Sequence, residues 1–151
     1  MENLVIEKAD KQSINTIVDF QIKMAYETEN MELDKNTVFK GVKHIFKHPE
    51  EGYYMLCRIN NDIISTLLVL YEWSDWRNGK VLWIHSVYVL PEWRGNGVFK
   101  KMYQELQKLV RNTTRYKGLR LYVEQQNKPA LRVYEKLGMT GDHYKLYEWM
   151  K

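Results

Sequence analysis

The chain has 151 residues, 44% hydrophobic and 28% charged, with 23 Lys+Arg against 19 Asp+Glu and a single cysteine. That is the composition of one ordinary globular domain, expected over residues 1–151, with enough length to bury a core unaided by metal or disulfide. Lone Cys57 excludes an internal disulfide framework and a cysteine-built zinc site, and it points to a reducing cytoplasm.

The opening MENLVIEKADKQ does not read as a signal peptide, and the apolar runs 63–71 and 81–91 fall short of the ~20 residues of a membrane helix. Leu4 to Glu7 reads as a short strand. Asp10 then caps a helix that buries Ile14, Ile17, Val18 and Ile22. Asp34 caps a second helix with Val38, Val42, Ile45 and Phe46 on one stripe, ending before Pro49. Tyr53–Ile59 and Ile63–Trp73 are β-branched and aromatic runs joined by Asn60, Asn61 and Asp62, the pattern of an antiparallel hairpin. A fourth strand follows at Val81–Leu90, then an amphipathic helix from Gly97 to about Asn112. A fifth strand at Leu119–Glu124, a helix at Lys128–Leu137 with Leu131, Tyr134 and Leu137 inward, and a last strand at Tyr144–Met150 complete the order. Such a meander followed by strand-to-helix crossovers predicts an α/β (α+β) fold with a mixed sheet and helices on both faces.

Net charge is +4, which favours anionic partners without choosing among them. Its distribution is uneven: residues 1–62 carry −3, whereas residues 94–120 carry +7 from Arg94, Lys100, Lys101, Lys108, Arg111, Arg115, Lys117 and Arg120 against Glu105. An anion site is expected in that basic stretch, beside an acidic first half suited to a cationic guest.

Within the basic stretch, Pro91-Glu92-Trp93 leads from the fourth strand into Arg94-Gly95-Asn96-Gly97 and then the helix. Glycines permit φ > 0 and close backbone approach, so successive N–H groups can converge on an anion at a helix N-terminus. A dinucleotide fingerprint is excluded because Lys100 stands where its third glycine belongs, and no G-x-x-x-x-G-K-[ST] loop exists. By itself the turn fits a plain connector equally well.

Arg94, Gly97 and Phe99, and downstream Asn127, Ala130, Tyr134 and Gly138, follow two spacings, Arg/Gln-x-x-Gly-x-Gly/Ala and Asn-x-x-Ala-x-x-x-Tyr-x-x-x-Gly, with Phe99 departing from the first. In these segments the chain resembles the GNAT superfamily of acetyl-CoA-dependent N-acetyltransferases, strongly over residues 83–139. The stretches 24–34, 72–79 and 91–99 look like one branch of small bacterial members.

The resemblance implies a mostly antiparallel sheet whose fourth and fifth strands splay around the pantetheine of acetyl-CoA. Backbone groups of Val87 and Val89 would pair with that arm. Arg94, Gly95, Asn96, Gly97, Val98 and Phe99 would take the pyrophosphate, and Asn127 would bond the pantetheine. Tyr134 would protonate the departing thiolate, although helical periodicity alone favours a core tyrosine.

Strand alternation puts Trp83, His85, Val87 and Val89 on one face and Ser86 and Tyr88 on the other. His85 is then the candidate general base, with Glu124 or water as alternatives and a structural histidine as the competing reading. The resemblance also implies acceptor contacts from Tyr26 and Glu29, with Glu27, Glu32 and Asp34 nearby, and from Trp73 and Trp76, whose carboxylates and aromatic faces suit an ammonium group; a solvated acidic loop with aromatic packing at a hairpin is the competing reading. His44, His48 and His143 read as too dispersed for a metal pattern, so no metal is assigned.

The leading expectation is a cytoplasmic acetyltransferase acting on an amine of a small molecule or peptide. No nucleic acid or membrane partner is assigned, and a homodimer is left open. A non-catalytic acyl-CoA-binding sensor is the alternative, and a nucleic-acid-binding domain using the basic helix comes third.

Overall fold

A computed structural model describes residues 3–151; Met1 and Glu2, the first two residues of the domain expected over 1–151, lie outside the described residues. The chain forms two compact units, one reaching to Leu121 and a second over Tyr122–Lys151, each considered by itself.

The first unit contains β1 (Leu4–Lys8), α1 (Ile14–Glu29), α2 (Lys35–Lys47), β2 (Gly52–Ile59), β3 (Asp62–Ser74), β4 (Gly79–Val89), α3 (Val98–Arg111) and β5 (Tyr116–Leu121). Its sheet runs β1-β2-β3-β4-β5, antiparallel through β4, with β5 parallel to β4. Asp10 accepts from the N–H groups of Gln12 and Ser13 and sets up the turn into α1, and Asp34 accepts from Thr37 N–H to cap α2. Asn30, in the left-handed conformation at φ 50°, ends α1.

On one face of the sheet Ile17 and Val18 of α1 and Val42 of α2 pack with Tyr54 and Leu56 of β2, and Leu68 joins them from β3. On the other face α3 buries Val98, Met102 and Leu106. Ser65 marks that face, donating to Met102 Sδ at 3.3 Å and to the carbonyl of Tyr88 at 2.7 Å. Cys57 is fully buried, and desolvation pushes its thiol up to about 11, so it stays protonated and inert.

Three expectations about the strands require correction. First, side-chain alternation along β4 breaks at Ser86. Thr66 pairs with Tyr88 and Leu68 with His85, so β4 spends one extra residue there, and Ser86 takes φ 51° to absorb it. Residues paired across antiparallel strands share a face, so Trp83, His85 and Tyr88 all lie with Leu70, Leu68 and Thr66 toward α1 and α2, while Val89 pairs with Ser65 on the α3 face. Second, β5 occupies Tyr116–Leu121 and not 119–124. Its register with β4 starts at Lys80, where Tyr116 stacks on Tyr71 at 6.0 Å. Third, Tyr144–Met150 forms no strand. β-propensity alone forms no ladder, and the sheet of the described residues runs from β1 to β5 without this segment.

The second unit is built around α4 (Lys128–Lys136). Asn127 caps it, accepting from Ala130 N–H at 3.2 Å. Gly138, at φ 81°, closes it with Met139 N–H bonded back to the Tyr134 carbonyl at 3.1 Å, a Schellman end.

Candidate active site

The pairing of β4 with β5 runs only from Lys80 to Ile84, where Ile84 meets Leu121. β4 continues to Val89 while β5 ends at Leu121, so Ser86–Val89 extend past the end of the β4–β5 ladder. A strand that outruns its parallel neighbour in this way can take an extended guest alongside it. His85 stands at the point of parting.

At the far end of this edge the chain passes through one 3-10 turn (Pro91–Trp93) into Arg94, Gly95, Asn96 and Gly97. Gly95 and Gly97 take φ 78° and 73°, and a Cβ on either would meet nothing within 4 Å. The concavity they form is therefore open. The first intrahelical bond of α3 is Lys101 N–H to the Gly97 carbonyl at 3.1 Å, and no side chain caps the helix. The N–H groups of Val98 and Lys100 thus lack intrahelical acceptors at the positive end of the macrodipole, which fits a diphosphate.

Arg94 does not face that concavity with its charge. Its Nε donates to the Val89 carbonyl at 2.9 Å, and its Nη2 meets Glu27 Oε2 at 2.5 Å. Glu27 Oε1 also accepts from the Tyr88 hydroxyl at 2.8 Å, and the guanidinium lies 5.4 Å from the Tyr88 ring centre. Burial raises the Glu27 carboxyl, but bonds from Arg94 and Tyr88 outweigh it and hold the group below its ordinary value. Glu27, expected beside the acceptor loop, instead meets a partner 67 residues away that nothing local in the chain announces.

The basic stretch is also divided. α3 is about 21 Å long at 1.5 Å per residue, so Arg94, Lys100 and Lys101 lie by its start while Lys108, Arg111, Arg115 and Lys117 lie at or beyond its end. Arg120 pairs with Glu72 at 2.8 Å, and Lys108 with Glu105. Most of the charge excess therefore stands away from the glycine turn.

Burial lowers the His85 imidazole below its ordinary value, so it is neutral and able to accept a proton at neutral pH. In the second unit, α4 carries Tyr134 half-buried, and burial raises its phenol above the ordinary range, keeping it protonated. Asn127 commits Oδ1 to the cap of α4, which leaves Nδ2 to donate. Glu124, the alternative base, is exposed and accepts from Gln126 N–H at 2.8 Å.

The expected acceptor set does not come together. Tyr26 and Glu29 lie exposed at the end of α1, beside Glu27 and therefore near Tyr88. Trp73 pairs with Lys80 at the opposite end of β4, roughly 26 Å away along the strand at ~3.3 Å per residue. Trp76 follows it in the hairpin turn, 88% exposed. His44 and His48 are not dispersed: they sit one turn apart, in the last turn of α2 and at its C-cap, with rings stacked at 4.1 Å.

Among the described residues no helix is long and apolar enough to cross a membrane. A family model for the acetyltransferase (GNAT) family matches residues 13–139. The chain is similar to a possible acetyltransferase from Clostridium difficile 630, at 36% identity and TM-score 0.92 over 99% of both chains. It also shares its fold with a predicted acetyltransferase from Clostridium acetobutylicum solved with acetyl-CoA (21% identity, TM-score 0.71, covering 98% of this chain and 94% of that one). A third neighbour is glucosamine-6-phosphate N-acetyltransferase from Arabidopsis thaliana (19% identity, TM-score 0.72, covering 99% and 100%). No curated protein matches the sequence.

Proposed function

Since the chain belongs to the GNAT family of acetyltransferases, whose co-substrate is acetyl-CoA, we propose that it transfers an acetyl group to a primary amine of a small molecule or peptide by direct attack. The observation that carries this reading is the stretch of β4 beyond its ladder with β5, Ser86–Val89, running into an uncapped helix N-terminus at Gly97. The family match spans both compact units, which supports reading the chain as one acetyltransferase domain.

Acetyl-CoA supplies an activated thioester. The protein's part is to hold and orient it and to manage protons. Peptide groups of Val87 and Val89 pair with the extended arm; because the Val89 carbonyl already accepts from Arg94, Val87 carries more of that pairing. The turn from Arg94 through Gly95, Asn96, Gly97, Val98 and Phe99 receives the diphosphate through backbone N–H groups, and Asn127 Nδ2 donates to the arm. Neutral His85 accepts the proton of the attacking amine, and protonated Tyr134 donates to the leaving sulfur. Tyr26 and Glu29 are the acceptor contacts retained, a carboxylate and an aromatic face suited to an ammonium group. Trp73 and Trp76 lie toward the opposite end of β4, so this reading puts the acceptor nearer Tyr26 and Glu29.

The test is thiol release from acetyl-CoA across polyamines, aminoglycosides, amino acids and peptide N-termini. Amine-dependent release supports the reading. Tight acetyl-CoA binding with no turnover on any amine would replace it with a sensor.

A further inference from the structure

The end of α2 carries a cluster that the acetyltransfer reading does not use. His44, in the last turn of α2, and His48, its C-cap, are four positions apart, about one helical turn; their rings stack at 4.1 Å and 24°. The chain then doubles back, with Glu51 N–H bonded to the His48 carbonyl at 3.0 Å. That turn brings Glu51 Oε2 to 3.0 Å from His44 Nε2. One nitrogen of each imidazole and one oxygen of Glu51 all lie within 4.8 Å of one another.

A fourth side chain orients the group. Glu50 Oε1 lies 3.0 Å from Nδ1 of His48, which fixes that ring and leaves its Nε2 to coordinate. Carboxylates commonly hold metal-ligating histidines in this way. Two imidazoles and a carboxylate are the donor set of borderline divalent cations and leave a fourth position to water. The three side chains are 42–49% exposed, so small rotations close them onto an ion at ~2.0–2.1 Å.

We infer that His44, His48 and Glu51 form a binding site for a divalent transition-metal ion of the zinc class, with Glu50 as the positioning carboxylate of His48. The bound ion joins the last turn of α2 to the turn that enters β2, so it clips helix to sheet at a point distant in sequence from the glycine turn. Hard cations such as magnesium are not favoured by imidazole donors.

The experiment titrates untagged, full-length protein with zinc chloride against a competing chelating dye, alongside His44→Gln, His48→Gln and the double variant. One zinc per chain is expected, with at least a tenfold loss of affinity in each single variant, a melting temperature that rises with zinc only in the wild type, and no response to magnesium. Equal zinc affinity in the double variant, or no zinc binding at millimolar concentration, overturns the inference. If a variant does not fold, imidazole NMR of the wild-type protein decides: shifts of His44 and His48 together at one equivalent of zinc support the site, and shifts confined to His85 or His143 sink it.

Discussion

Glu27 on α1 and Arg94 in the turn after β4 form an ion pair, Oε2 to Nη2 at 2.5 Å, and the Tyr88 hydroxyl donates to the other carboxylate oxygen. The pair binds the end of α1 to the start of the glycine turn. It also engages the side chain of Arg94, so in the proposed function the anion falls to the backbone of the turn.

Loss of this pair has a defined pH signature. The Glu27 carboxyl is held below its ordinary value in the folded chain, so its stabilisation is complete above the unfolded value and is lost as pH falls through the folded one. Urea unfolding of wild type and Glu27→Gln should differ at neutral pH by a few tenths to about 1 kcal/mol, the range of part-exposed pairs. The difference should shrink as pH falls through the folded value; a difference that does not shrink on acidification contradicts the assignment.

Gly97→Ala tests the helix start. The added Cβ meets no atom within 4 Å, so the cost is that of φ 73° in a residue with a side chain, about 1 kcal/mol. Relief of that strain would turn the first N–H groups of α3. Weaker acetyl-CoA binding by calorimetry is expected together with the stability loss, and unchanged binding would remove the turn from the phosphate role.

Tyr134→Phe keeps ring volume and removes the proton. Turnover should fall on the order of 10²-fold or more, with acetyl-CoA affinity retained. A variant of full activity excludes Tyr134 as the donor.

For His85, burial lowers the imidazole value, so the proton-accepting form persists to pH below the ordinary 6.5. The profile of kcat/KM should therefore show its acid limb under that value, and His85→Gln should abolish the limb along with most of the rate. An identical limb in the variant would assign it to another group. Stability should fall on the same side, because the unfolded chain binds the proton more tightly.

Helices, most strands and both signature spacings were legible in the linear chain because each rests on local rules. Asp10 and Asp34 act as caps, Ile17, Val18 and Val42 recur at helical period, and Asn127 precedes Tyr134 by seven residues on what became α4. His44 and His48 also carried a local signal, the i,i+4 spacing, that the sequence reading passed over.

Tertiary structure alone decided the rest, because strand register and long-range partners depend on what lies opposite a residue rather than beside it. The extra residue at Ser86 turns Tyr88 to the face of His85, the end of β5 at Leu121 leaves Ser86–Val89 beyond the β4–β5 ladder, and Arg94 finds Glu27 across 67 residues. Trp73 and Tyr26 looked like neighbours in composition, yet antiparallel β3 and β4 carry Trp73 to the end of the sheet opposite the Tyr88 contact with Glu27. Sequence thus determined which elements and which chemical groups are present, through periodicity and spacing. Only the pairing of strands and the docking of α1 determined which of those groups meet.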